Sequence, residues 1–134
     1  MAGLIPNDGE NLIANMIFKN ADANRGTSLQ LGLFTNATGV DEALALTSVT
    51  EPTGGTYARK TLTDASWVVT ADTASYALQT FTATGSAFTG SIYGYFIATT
   101  GTTPKLLAIE IDPVGPYTMA QNDAYDVTPT ITVA

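Results

Sequence analysis

Two acidic residues, Glu110 and Asp112, stand two positions apart at the end of the apolar run Leu106-Leu107-Ala108-Ile109. On an extended strand such residues share a face about 7 Å apart. A pair of carboxyl groups can cleave a glycosidic bond, one as acid and the other as base or nucleophile. Nothing else in the sequence specifies a cleft around them, and the other parts of hydrolytic chemistry are missing. The chain has no histidine, which removes the commonest general base, the Ser-His-Asp triad and imidazole ligation of metals. It has no cysteine either, so thiolate nucleophiles, thiolate metal sites and disulfides are all excluded. A non-enzymatic protein is expected.

Other polar groups have ordinary structural readings. Asp123 and Asp126 could offer oxygens to calcium, but the dense Asp-x-Asp spacing of an EF-hand loop is absent, and a solvated turn is the plainer reading. Asn36-Ala37-Thr38 fits a glycosylation acceptor, but no secretion signal accompanies it. Gly54-Gly55-Thr56-Tyr57-Ala58-Arg59-Lys60 is glycine-rich and basic at its end, yet it lacks the spacing of a P-loop and reads as a turn entering a strand. Arg59, one of only five cations, is expected to pair with a carboxylate or carbonyl. In Ile92-Tyr93-Gly94-Tyr95-Phe96-Ile97, strand parity puts Tyr93 and Tyr95 on one face and Phe96 on the other. An aromatic row could bind a sugar, but cross-strand aromatics also stabilise sheets, and these, with Trp67 and Phe81, are read as core. No residue is therefore given a catalytic, cofactor-binding or metal-ligating role, and no cofactor is expected.

The elements that must position these groups follow from composition and period. A chain of 134 residues is the size of one domain with one real core. Twelve acidic against five basic residues give a net charge of -7, which disfavours a nucleic-acid partner because phosphate binding needs clustered cations. Met1 to Glu10 lacks the basic and apolar regions of a secretory signal, and no apolar run approaches the roughly 20 residues of a membrane span. Synthesis and folding in a cytoplasm are expected. Only 13% of residues are charged, and roughly one in six is threonine, a residue suited to pleated surfaces. So uncharged a surface points to contact with other subunits.

Asn7 followed by Glu10 has the logic of a capping box, and Leu12, Ile13, Met16 and Ile17 recur at helical spacing, which predicts a helix over 8 to 21. From Thr27 the period becomes two. Leu29, Leu31 and Leu33 alternate with Gln30, Gly32 and Phe34 as in a strand with one principal core face. Further strands are predicted at 44 to 50, 57 to 62, 66 to 70, 76 to 83, 91 to 99, 105 to 111 and 124 to 133. In the last, Tyr125, Val127, Ile131 and Val133 share a parity, and Pro129 requires an edge position or a bulge. The fold class is mainly β, an antiparallel β-sandwich or jelly roll with one short N-terminal helix: a helical arm over 1–26 and a β-sandwich domain over 27–134. The arm's apolar stripe fits docking on a partner or closure of its own sandwich equally well.

Several segments taken together resemble the small β-sandwich virion proteins of tailed bacteriophages: Leu31-Gly32-Leu33-Phe34-Thr35-Asn36, Glu51-Pro52-Thr53-Gly54-Gly55-Thr56-Tyr57-Ala58-Arg59, Phe81-Thr82-Ala83-Thr84-Gly85, Ile92-Tyr93-Gly94-Tyr95-Phe96-Ile97 and Val127-Thr128-Pro129-Thr130-Ile131-Thr132-Val133. Some members are capsid cement or decoration proteins, and others are tail or fibre components. The resemblance implies a virion structural protein, foremost a cement protein that bridges major capsid subunits as a homotrimer on the capsid surface. The alternative it implies is a tail or fibre module that binds host-surface carbohydrate. The sequence departs from the group where Ala120-Gln121-Asn122-Asp123 replaces a turn of the Ala-Gly-Asp kind, which leaves that turn's type open.

Overall fold

The computed structural model describes residues 3–19 and 24–133. Helix α1 spans Asn7–Lys19, so it begins one residue earlier than predicted, while positions 20 and 21 lie outside the described residues. The carbonyl of Pro6, not Asn7, accepts the first helical bond, from the Glu10 N–H at 3.0 Å. Asn7 sits inside the first turn and gives its own N–H to the Glu42 carbonyl at 2.9 Å. The strands are β1 Ser28–Phe34, β2 Lys60–Thr63, β3 Val68–Thr70, β4 Thr73–Ser75, β5 Gln79–Thr82, β6 Ser91–Ile92, β7 Gly94–Thr99, β8 Leu106–Ile111, β9 Tyr117–Thr118, β10 Ala124–Val127 and β11 Thr130–Thr132.

The chain is a mainly β sandwich whose named strand pairs are all antiparallel. One layer is a four-stranded sheet in the order β2-β1-β7-β8, and the other is built from the smaller sheets β10-β5, β11-β4-β3 and β6-β9. Leu29, Leu31, Leu33, Leu62 and Ile97 of the large sheet share one core with Phe81, Val127, Ile131 and Ile92 of the small ones. A bulge in β8 fits this core. Ile97 faces Ala108 while Ala98 faces Leu106, so Leu107 is the extra residue, and Leu107 and Ala108 both enter the same core.

The large sheet is buried on its second face as well. Phe34, Phe96, Ala98, Leu106 and Ile109 form a separate apolar cluster there, with Leu44 and the half-buried Val40, Leu46 and Val49 against it. The single core face predicted for β1 is thus corrected, since Gly32 and Phe34 are buried as fully as their neighbours. The strand predicted at 44 to 50 is corrected too. That segment has no strand and one 3-10 turn at Leu46–Ser48, because its apolar residues lid a sheet face instead of joining a ladder. Asn36 holds the lid in place: its side-chain amide donates to the Ser48 carbonyl at 3.0 Å and accepts the Thr50 N–H at 2.7 Å.

Two other predicted strands are interrupted. The 91–99 run breaks at Tyr93, which resets its parity, so that Tyr93 packs with Phe96 on the second face while Tyr95 belongs to the first core. The 124–133 run breaks at Thr128-Pro129, and its halves join different sheets, β10 with β5 and β11 with β4. Each half is an edge strand of its sheet, the position that proline allows.

The outer edge of β8 is covered by the N-terminal segment. Leu4 exchanges both backbone hydrogen bonds with Ile109, at 2.7 and 2.9 Å, which shields polar groups that would otherwise invite another strand. Helix α1 follows, and buried Gly9 lets it lie close, since a Cβ there would fall 2.3 Å from the Leu107 carbonyl oxygen. Leu12 enters the main core, whereas Ile17 and Phe18 are 72% and 86% exposed. Only part of the helical stripe is therefore spent on the chain's own sandwich.

Gly32 is the tightest point of the second face, where an added Cβ would sit 2.3 Å from Cζ of the fully buried Phe96 ring. Gly32→Ala is expected to cost about 2–3 kcal/mol through overpacking, read as a lowered denaturation midpoint with an unchanged denaturant slope.

Candidate functional site

Two regions could engage other molecules. The first is a cleft of about 450 Å³ between the end of β8 and the last two strands, lined by Tyr95, Glu110, Asp112, Tyr125, Asp126 and the hydroxyl-bearing Thr128, Thr130 and Thr132. It lies where the final strand breaks at Pro129, beside the end of the paired run that carries Glu110. Glu110 and Asp112 are brought to one site, as their shared parity predicted, and Asp126 joins them from β10.

Both carboxylates of that pair are engaged by tyrosines. Tyr95 donates its hydroxyl to Glu110 Oε2 at 2.6 Å and accepts the Thr130 N–H at 3.3 Å, linking the two layers. Tyr125 donates to Asp112 Oδ2 at 2.7 Å, and the Val114 N–H donates to Asp112 Oδ1 at 3.0 Å. Burial pushes the Asp112 carboxyl up, but hydrogen bonds from Tyr125 and from the Val114 and Gly115 N–H groups outweigh it and hold the group below its ordinary value. Burial and the carboxylate partners hold both phenols in the protonated, donating form, each well above its ordinary value. Asp112 is thus kept ionised. A glycosidase acid needs the opposite, a carboxyl whose proton affinity is raised.

The remaining polar candidates are structural. Asp123 Oδ2 accepts the Ala120 N–H at 2.9 Å and closes the turn whose type the sequence left open; Asn122 fills its left-handed position at φ 74°, a conformation asparagine tolerates. Asp126 accepts from the Thr80 hydroxyl. Among the described residues, no group of three or more acidic side chains is arranged to hold a metal ion. Gly54 and Gly55, at φ 76° and 55°, make the turn that leads toward β2.

Arg59 lies just before β2, not within it, and makes the pairing expected of it. Its Nε and Nη2 donate to Glu51 at 2.8 to 3.1 Å, and its guanidinium stacks over the Phe96 ring at 5.1 Å. Tyr57 donates to the same carboxylate at 2.7 Å and accepts the Leu33 N–H at 2.9 Å, at a position of β1 that the short β2 does not reach. Sequence reasoning did not find Glu51, which lies in a loop eight residues before its partner.

The second region is apolar. Ile13, Ile17 and Phe18 of α1 line a hollow with Ile5 and Val133, and Glu10 brings one carboxylate to it. Ile13 and Val133 also line an adjoining groove of about 300 Å³ with Trp67, Val69, Ala74 and Ile131. Trp67 packs edge-on against Tyr76, and its indole N–H is buried without an acceptor among the described residues. The two regions lie on opposite sides of β11, whose Thr130 and Thr132 line the cleft while Ile131 and the following Val133 line the groove. Sequence parity carried this division, but only the pairing of β11 with β4 shows what faces each side.

No protein-family model matches the chain, and comparison with curated proteins and with solved structures likewise gives no match.

Removing one donor tests the reading of the cleft. In Tyr125→Phe the Asp112 carboxyl is expected to rise toward its ordinary value of about 4, read by carboxyl-carbon NMR titration. Because the folded-state value is depressed, its stabilisation is complete above the unfolded value and is lost as pH falls through the folded one. The variant should therefore lose less stability than the parent on acidification below about pH 4.

Proposed function

We propose that this chain is a non-enzymatic virion structural protein, foremost a capsid cement protein that bridges major capsid subunits of a tailed bacteriophage, as a homotrimer on the capsid surface. The observation that carries the reading is the uncovered apolar face made by α1, Trp67, Val69 and Val133 on a protein with few surface charges. Contiguous exposed apolar surface is what a subunit contact requires. A cement protein works by burying surface across several shell subunits, which adds binding free energy against internal pressure and needs no reaction. The cleft agrees with this, since its paired carboxylates are engaged in bonds that tie the sandwich layers together. The net charge of -7 fits protein partners better than nucleic acid.

Cryo-electron microscopy of the phage particle that contains this chain tests the reading. Density between capsomers of the icosahedral shell is the expected result, and density confined to the tail or its fibres would overturn it.

One observation favours a second reading, a tail or fibre module that binds host-surface carbohydrate. The cleft combines tyrosines, carboxylates and threonine hydroxyls, the groups that accept and donate hydrogen bonds to a sugar's hydroxyls. On that reading the isolated protein binds host cell envelopes, and Glu110→Gln with Asp126→Asn abolishes the binding. Retention on envelopes unchanged by these substitutions would exclude the cleft as the receptor site.

A further inference from the structure

The two layers of the sandwich leave an opening of about 350 Å³ between the segment that enters β2 and the strand β5, both at sheet edges. Tyr57, Phe81 and Phe88 line it, with Tyr57 packed on the other two rings at centroid distances of 5.9 and 5.6 Å. Two hydrogen bonds bracket it. At one end the Thr84 N–H donates to the Gly55 carbonyl at 2.8 Å, and at the other the Thr63 N–H donates to the Tyr76 hydroxyl at 3.1 Å. Between them, no backbone hydrogen bond among the described residues joins the two edges. The Thr84–Gly55 bond would begin a ladder, but Gly54, Gly55 and Thr56 follow one another at φ 76°, 55° and 59° and close a turn through the Tyr57 N–H and the Gly54 carbonyl. A β-branched residue such as Thr56 is held in that left-handed region only under strain, a feature that clusters at ligand clamps.

The edge of β5 is ready to pair. Ala83 donates its N–H to Asp123 on the β10 side, whereas Thr84 donates the opposite way, so strand alternation directs the backbone groups of Thr80 and Thr82 away from β10 and toward the opening. Elsewhere the chain covers such an edge, as Leu4 covers β8, but β5, Gln79-Thr80-Phe81-Thr82, carries no charge, proline or bulge that would protect it. The opening also differs in charge from the rest of a chain at -7. Arg59 and Lys60 line it and no acidic residue does. Arg59 is committed to Glu51, whereas Lys60 pairs with no described carboxylate and holds its ammonium 5.2 Å from the centre of the Phe81 ring.

We infer that this opening receives an extended, acidic segment of a partner protein, which adds to β5 as a further strand and sets a carboxylate against Lys60. Unpaired backbone groups supply affinity for any extended chain, and a lysine at the mouth selects an acidic strand while repelling a basic one. The inference goes beyond the proposed function and holds whether the partner lies in a shell, a tail or elsewhere.

The test uses the full chain. Random decapeptides displayed on a soluble carrier are selected on the immobilised protein, and enriched peptides are then labelled and titrated by fluorescence anisotropy. The enriched peptides should be rich in β-branched residues, carry an Asp or Glu and lack a central proline. N-methylating alternate amides of such a peptide, in one parity or the other, should raise its dissociation constant about 10-fold or more, because strand addition rests on main-chain hydrogen bonds. Thr82→Pro removes an N–H that faces the opening, leaves the β10 ladder intact and should abolish binding. Lys60→Gln should weaken binding about 10-fold and Lys60→Arg should retain it, while Lys19→Gln, at an exposed cation of α1, should leave it unchanged. These variants should keep the parent's circular dichroism spectrum, and if Thr82→Pro does not, the lysine variants and the N-methylated peptides decide. No enrichment over the bare matrix, or binding indifferent either to N-methylation in both parities or to Lys60→Gln, would overturn the inference.

Discussion

All six residues of β7 are buried, and β1 beside it is buried on both faces over its second half. A sheet that is apolar on both sides cannot leave either side to water, since each large apolar side chain left exposed forfeits about 1.5–3 kcal/mol. This constraint accounts for the rest of the molecule. One face is covered by the small sheets and α1, and the other by the 36–50 segment, whose Leu44, Leu46 and Val49 lie against Phe34 and Phe96. The covering layers need only to supply apolar side chains at the right height. Their strands can be short and irregular, and the lid needs no strand.

Polar anchors fix these layers where backbone ladders run out. Three tyrosines have the same role, each giving its hydroxyl to a carboxylate: Tyr57 to Glu51, Tyr95 to Glu110 and Tyr125 to Asp112. Tyr57 and Tyr95 also accept a backbone N–H, from Leu33 and Thr130. Such charge-assisted bonds are stronger than neutral ones and satisfy groups that burial would otherwise leave at a cost. A chain without cysteine or histidine thus fastens its layers with phenol and carboxylate. Glu110 and Asp112, the pair whose spacing suggested acid-base chemistry, are among these fasteners.

What the covering layers do not hide is the apolar face across α1, β3 and β11. Leu12 turns inward while Ile17 and Phe18 remain outside, so the helical stripe is divided between the chain's own core and an outer surface. The proposed subunit contact rests on this division. The acidic cleft and the apolar groove lie on opposite sides of one strand.

Much of the architecture was legible in local pattern. The helix, the period-two run of β1, the continuous apolar run of β8, the proline that confines the last strand to sheet edges and the shared face of Glu110 and Asp112 all follow from residue types and their offsets, which the backbone's own geometry converts into direction. The pairing of Arg59 could be expected because a scarce cation near a buried face needs a counter-charge, but Glu51 could not be named. The 44–50 run could not be distinguished from a strand, because Leu44, Leu46 and Val49 have the composition of one and only the sheet beneath gives them a different task. The reset at Tyr93 was likewise hidden, since parity is a local rule and a break in pairing is imposed from across the sheet. The sequence by itself determined a mainly β chain with one amphipathic helix, because side-chain period is written in adjacent residues. Only the tertiary structure decided which carboxylates are tied, which face is lidded and which apolar surface stays open, because those depend on contacts between residues far apart in the chain.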